Sequence, residues 1–376
     1  MLSDYNFRNY NIRLLLSVLA LNAIGLMVIN SAVAGDRTYI NRQLIGLFGG
    51  LLVAIVLSLF SYRWLMRFTG LIYLGCVGIL IAVLVMGRLG GSGAGAQRWI
   101  ELPVLGRLQP SEFVKIGLIV FFSWFLDKNQ EKINHPFTLV TLAVFATVPL
   151  LLIMEQPDLS TSIVIMVMIL CLIYVSGISY KWIFGAVAVC VPGLMLVLYL
   201  AQMNMLPFLR DYQVNRILAF LNPEDYVDLD LQQQNSEMAI GSGGLYGKGL
   251  FNDTAISVKN GNFLSEEHTD FIFSVIGEEL GFVGCMAVLA LYLIFIFECF
   301  RMAGKARDLA GKLLCVGLAA LVGFQAFTNI AVATGVFPNT GLPLPFISYG
   351  VSSLVSLYIG VGIVLNVGLQ QSKVEI

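Results

Sequence analysis

The sequence is short of charge: Asp, Glu, Lys and Arg together make up 12% of its 376 residues, where an ordinary soluble domain carries roughly a quarter. Hydrophobic residues reach 58% and the mean hydropathy is +0.84. A soluble fold of this length cannot hide so much apolar surface, so that class is excluded. A net charge of −1 offers no basic face to a nucleic acid. Histidine is scarcer still, with only His135 and His268, which argues against an imidazole-rich metal site. The six cysteines (Cys76, Cys171, Cys190, Cys285, Cys299 and Cys315) stand singly in apolar runs without a CxxC pair. They read as small packing residues, not as disulfide partners or metal ligands. No clear small-residue cleavage motif follows the first apolar run, Leu14 to Ala34, which therefore reads as a retained span. No internal repeat is visible, so an inverted-repeat transporter gains no support from that test.

What is present is a series of long apolar runs. A helix needs about 20 mostly apolar residues to cross the hydrocarbon core. Candidates fall near 14–34, 43–61, 69–86, 110–126, 137–154, 160–178, 181–201, 270–300, 309–334 and 345–369. The expected fold class is all-α: a polytopic integral membrane protein of about ten transmembrane helices, read as a single domain over 1–376. The fourth run is the weakest candidate, because it carries Glu112 and Lys115. An even number of spans puts both termini on one side, and the Lys/Arg bias selects the side. Arg8, Arg13, Arg63, Arg67, Lys128, Lys132, Lys181, Arg301, Lys305, Arg307, Lys312 and Lys373 all fall in one set of ends and loops. Both termini are therefore expected in the cytoplasm. Two sizeable loops then lie outside, at 87–109 and about 202–269. The second is far longer than an ordinary connection, and a long loop of mixed composition on one face is a common seat of function.

Ionisable groups and broken backbone within the apolar runs point to function, because each charge costs about 2.5–3.5 kcal/mol at a helix centre on insertion scales. Glu112 and Lys115 sit at i,i+3 after Pro110, which suits a first helical turn. They are either a structural ion pair or the charged floor of an outward cavity. Asp158, after Glu155-Gln156-Pro157, reads as a cap for the helix that follows or as part of a site. Asp270, in His268-Thr269-Asp270, opens a run whose polar face continues through Ser274 and Gly277 to Glu278, and the helix dipole favours its ionised form. Gly277, Gly281 and Gly284 permit close helix contact. Pro343 and Pro345, with Gly341 and Gly350 flanking them, break the backbone where the last span should begin. At membrane depth, broken backbone is tolerated only where protein buries it or it lines a cavity. The run Gly241 to Gly249 fails the Walker spacing, although a Gly-rich turn that binds an anion through backbone N–H groups stays open.

Gly95-Ala96-Gln97-Arg98-Trp99-Ile100, Gln109-Pro110-Ser111-Glu112, Gln156-Pro157-Asp158-Leu159, Ala239-Ile240-Gly241-Ser242-Gly243-Gly244, His268-Thr269-Asp270-Phe271-Ile272-Phe273 with Gly277-Glu278-Glu279-Leu280-Gly281, and Pro343-Leu344-Pro345-Phe346-Ile347-Ser348-Tyr349-Gly350 follow one another along the chain. Together they resemble the signatures of the SEDS (shape, elongation, division and sporulation) family. Within it, the short N-terminus and Gln156 before Pro157 resemble the rod-shape branch. Val351, Asn235 and Ser265-Glu266 depart from the family's commoner residues. The resemblance implies a peptidoglycan glycosyltransferase that polymerises lipid II outside the bacterial cytoplasmic membrane during cell-wall elongation. It also implies a class B penicillin-binding protein as partner. The family's essential aspartate falls on Asp270, its outer-loop tryptophan on Trp99, and its characteristic Glu and Lys on Glu112 and Lys115.

In that reaction a sugar hydroxyl attacks the anomeric carbon of a lipid-linked sugar as pyrophosphate leaves. Asp270 suits the general base. The leaving pyrophosphate needs cations or N–H donors, for which Arg98, Lys115, Arg210, Arg216 and Lys248 are candidates, with a divalent cation (Mg or Mn) as a supplement. Asp158, Ser242, Gly243, His268 and Thr269 complete the expected supporting set. The rival reading is a lipid II flippase or other transporter without polymerase chemistry.

Overall fold

A computed structural model describes residues 10–33, 35–89, 98–102, 106–203, 214, 218, 227–251 and 268–370. Among these the chain is almost wholly helical: α1 (Ile12–Ala32), α2 (Arg37–Leu59), α3 (Thr69–Leu89), α4 (Pro110–Lys128), α5 (Pro136–Glu155), α6 (Leu159–Val175), α7 (Tyr180–Gln202), α8 (Val227–Ser242), α9 (Ile272–Lys305), α10 (Leu309–Ala333) and α11 (Val351–Leu369). A small antiparallel hairpin, β1 (Ile100–Leu102) and β2 (Gly106–Leu108), precedes α4, with Ile100 opposite Leu108. Short polar side chains set several helix starts by accepting from free backbone N–H groups. Asn11 caps α1 at Leu14, Asp36 caps α2 at Thr38, Asp158 caps α6 at Thr161 and Asp308 caps α10 at Gly311. Pro110 and Pro136 stand in the first turns of α4 and α5, where a missing N–H costs nothing.

Ten of these helices coincide with the ten expected apolar segments, and α8 is an additional, polar helix within the long loop. Among the described residues, seven stretches are long and apolar enough to cross a bilayer: α1, α2, Tyr62–Met86 leading through α3, α5, α9, α10 and α11. Helix α6 and the Tyr180–Gly193 part of α7 are shorter apolar helices. Helix α4 falls outside both groups because it carries Glu112, Lys115, Asp127 and Lys128. The chain is a multi-pass membrane protein. The last helix starts at Val351, later than the expected 345, because Pro343 and Pro345 cannot donate to a helical ladder.

Burial is inverted relative to a soluble protein. Large apolar side chains such as Phe184 and Leu293 face outward at 71% and 67% exposure, as hydrocarbon would require. Glu112, Lys115, Glu278, Gln325 and Asn366 lie inside. Helix α11 runs along α2, while α10 packs beside α4, α6 and α9. At one end of α2, α10 and α11, Asn366 accepts from the Tyr62 N–H at 2.8 Å and donates to the Ser58 carbonyl at 2.7 Å. There too the Tyr62 hydroxyl donates to Asp308 at 2.8 Å, and Arg63 pairs with the same carboxylate at 3.3 Å. The opposite ends of these three helices converge on the candidate site.

The contact between α2 and α11 depends on side chains that are absent. A methyl on Gly50 would lie 2.5 Å from the Tyr358 ring, whereas one on the adjacent Gly49 would meet nothing within 4 Å. Gly50→Leu is expected to lower the thermal unfolding midpoint of the detergent-solubilised protein, with overpacking costing about 1–3 kcal/mol. Gly49→Leu, measured the same way, should leave the midpoint unchanged.

Candidate active site

Between α10 and α11 the chain leaves regular structure, yet Leu342 and Leu344 to Ser348 remain buried. Buried carbonyls without helical partners must find donors elsewhere. They find them on side chains of the surrounding helices. Ser160 of α6 donates to the Thr340 carbonyl at 2.5 Å, Asn329 of α10 to Leu342 at 2.7 Å and Gln325 of α10 to Pro343 at 2.9 Å. Tyr292 of α9 donates to Pro345 at 2.5 Å. Gln43 of α2 donates to the Ser348 carbonyl at 3.3 Å and accepts from the Gly350 N–H at 3.1 Å. The Ser348 hydroxyl accepts from the Leu344 N–H at 2.7 Å, closing the turn.

That pinned segment is the seat of Asp270. Of the three residues ahead of Phe271, the cap of α9, two are tied to it directly through their own backbone and Asp270 through Asn329. The His268 carbonyl accepts from the Tyr349 N–H at 2.9 Å, the Thr269 carbonyl from the Ser348 hydroxyl at 2.6 Å, and the Asp270 carbonyl from Asn329 at 2.7 Å. The partly exposed Asp270 carboxylate lies over Gly341, where a methyl would stand 3.3 Å from Oδ2. The His268 ring packs edge-on against Tyr39 at 5.0 Å and near Tyr349 at 5.7 Å, which flanks the carboxylate segment with aromatic surface.

The helix that carries Asp270 is itself broken. Gly281 adopts φ 65° and ψ −164°, a conformation closed to side chains, and divides α9 into a short leading half and a long trailing one. The Gly-rich turn after α8 fills the break. Phe282 and Val283 N–H groups donate to the Gly244 and Leu245 carbonyls, while Lys248 and Gly249 N–H groups donate to Glu278 and Glu279, all between 2.9 and 3.1 Å. Gly243 is pressed against the Gly277 carbonyl with no room for a side chain. Lys248 pairs with the buried Glu278 at 2.7 Å, and the Ser31 hydroxyl reaches Glu279 at 2.5 Å. The Ser242 hydroxyl turns back onto Ala239 at 2.8 Å. Thus Ser242, Gly243 and Lys248, expected near an anion, sit in a brace for the Asp270 half-helix.

Two further clusters adjoin. Asp158 caps α6, and it also accepts from Gln109 at 3.1 Å and faces Arg98 at 3.9 Å, so capping does not exhaust its contacts. Arg98 donates to the Gln156 carbonyl at 2.8 Å, and Trp99 beside it is 45% exposed. Glu112 and Lys115 form a fully buried pair at 2.8 Å. Lys115 donates in addition to Gln325 at 3.0 Å, and so reaches the Pro343 carbonyl through that amide. Among the described residues Glu112 Oε2 has no hydrogen-bond partner. Arg210 and Arg216 lie outside the described residues. Among the described residues no three His, Cys, Asp or Glu side chains are grouped to hold a metal ion, so no chemical step is routed through one.

Charge and motif spacing assign no individual role to Gln43, Ser160, Tyr292, Gln325, Asn329 or Ser348. The available signal was the pair of amides, Gln325 and Asn329, at i,i+4 inside an otherwise apolar run.

The chain as a whole has known relatives. A family model described as "Cell cycle protein" (FtsW, RodA, SpoVE) matches residues 12–373. A relative in Geobacter metallireducens, named probable peptidoglycan glycosyltransferase FtsW, is 37% identical over 95% of this chain and 94% of its own. The peptidoglycan glycosyltransferase MrdB of Escherichia coli K12 is 35% identical over 94% and 92%. Among solved structures, a chain described under "Structural coordination of polymerization and crosslinking by a peptidoglycan synthase complex" superposes with a TM-score of 0.78 at 31% identity, covering 96% of this chain and 97% of that one. The rod shape determining protein RodA of Thermus thermophilus superposes at 0.69 with 29% identity over 97% and 98%. Similarity on this scale runs nearly the length of the chain, and the chain belongs to the FtsW/RodA/SpoVE family, the SEDS proteins.

Proposed function

We propose that the chain is a peptidoglycan glycosyltransferase that joins lipid II units into glycan strands, with Asp270 as general base. The observation that carries this reading is the seat of Asp270, a partly exposed carboxylate whose backbone is pinned to a buried, non-helical segment. A rigidly held base suits proton abstraction from a sugar hydroxyl. The names carried by the relatives support the same chemistry. In the proposed step the acceptor hydroxyl passes its proton to Asp270 as its oxygen bonds to the anomeric carbon. The bond from that carbon to the phosphate oxygen breaks, and the lipid pyrophosphate leaves with the electron pair. The good leaving group removes the need for a second, acidic carboxyl of the glycosidase kind. Lys115 and Arg98 lie on the elements around the site, and the aromatic face of Trp99 suits a sugar ring or the lipid.

The reading includes about ten spans in a single membrane domain, both termini in the cytoplasm, and the site on the opposite face. The distribution of Lys and Arg supports that orientation. A class B penicillin-binding protein is the proposed partner, in keeping with the synthase complex to which the chain is similar.

With labelled lipid II and the purified chain in complex with that partner, Asp270→Asn is expected to lower the polymerisation rate by roughly 10²–10⁴-fold while leaving the complex folded. Full-length glycan from Asp270→Asn would remove the base assignment. Lipid II translocation without polymer from the unsubstituted complex would favour the flippase reading. Lys115→Met should strand the buried Glu112 charge and cost about 3–5 kcal/mol in thermal or denaturant unfolding. The double variant Glu112→Gln/Lys115→Met should recover most of that stability but not the polymerisation rate, because the link from Lys115 through Gln325 to Pro343 is still missing.

A further inference from the structure

A primary amide offers two N–H bonds on one uncharged nitrogen and can therefore tie two carbonyl oxygens together. Asn329 does this: its Nδ2 donates to the Asp270 carbonyl and to the Leu342 carbonyl, both at 2.7 Å. One turn earlier on the same face of α10, Gln325 donates to the neighbouring Pro343 carbonyl at 2.9 Å and accepts from Lys115 at 3.0 Å. The residue immediately before this pair of carbonyls is Gly341, over which the Asp270 carboxylate lies.

The orientation of Asn329 has a consequence. The residue is 1% exposed, and its Oδ1 has no hydrogen-bond partner among the described residues. Turning the amide over would set that oxygen against two carbonyl oxygens, so the unmatched acceptor is the cost of making both donations. A side chain serving only to fill space would be met better by Leu, which has similar bulk and nothing to satisfy.

We infer that Asn329 and Gln325 are positioning residues for Asp270. Asn329 holds the Asp270 peptide in register with the segment beneath its carboxylate, and Gln325 fixes the next carbonyl of that segment to the Glu112–Lys115 pair. Neither contacts the reacting atoms. The inference rests on the reading of Asp270 as the base of a polymerase.

Two measurements on the full chain in complex with its class B penicillin-binding protein test it. In lipid II polymerisation, Asn329→Leu should lower kcat about 10- to 100-fold, the scale of a misplacement near 1 Å, with KM little changed. Gln325→Leu should lower it less, and Asn329→Gln, which keeps both donors, should recover part of the rate. In an Asp270→Cys background, the rate of modification by a membrane-impermeant maleimide should change severalfold when Asn329→Leu is added. Phe327→Leu, at an outward position of α10 that is 58% exposed, should move neither quantity. An unchanged kcat or an unchanged modification rate in a folded Asn329→Leu protein overturns the inference. Should that variant fail to accumulate, Gln325→Leu and Asn329→Gln are read by the same two measurements. If the unsubstituted complex makes no glycan, the polymerase reading fails, and the modification rate alone decides the positioning role.

Discussion

Buried backbone that is neither helix nor sheet must be hydrogen-bonded by something, and in hydrocarbon water is not available to do it. The segment from Thr340 to Gly350 imposes this constraint on the rest of the protein. Its prolines prevent a helix, so its carbonyls recruit Ser160, Tyr292, Gln325, Asn329 and Gln43 from four different helices. Those helices are held in place by the same bonds that satisfy the segment. Five of the polar side chains inside this membrane protein are therefore the partners that one irregular stretch demands.

Asp270 inherits its rigidity from that arrangement. Its chain neighbours bond to the segment, and the half-helix that follows it is braced from the other side by the Gly243–Gly249 turn and the Lys248–Glu278 pair. Placing a carboxylate between two such supports limits how far it can shift as substrate arrives. A general base gains from this, because little reorganisation is left for the moment of reaction. The Glu112–Lys115 pair extends the support to α4, which tolerates two buried charges because each neutralises the other.

Much of the site was legible from spacing. Glu112 and Lys115 at i,i+3, the prolines before the last helix and the charge at the start of α9 all announced themselves as residues an apolar run should not contain. The Gly-rich turn was legible as a special backbone but not for its use. Read alone it suggested an anion cradle, yet its N–H groups and Lys248 answer carbonyls and a carboxylate from α9. The sequence could not announce that α9 breaks at Gly281, since a glycine within a long apolar run is as compatible with close packing as with a break.

By itself the sequence determined the class of the protein and the position of its apolar helices, because hydropathy is a sum over neighbouring residues and needs no knowledge of contacts. Only the tertiary structure decided which polar groups answer one another. Ser31 meets Glu279 across 248 positions, Gln43 meets Ser348 across 305, and Asn329 meets Asp270 across 59. A hydrogen bond is directional and short, so its partner is chosen by the packing of helices and not by order along the chain.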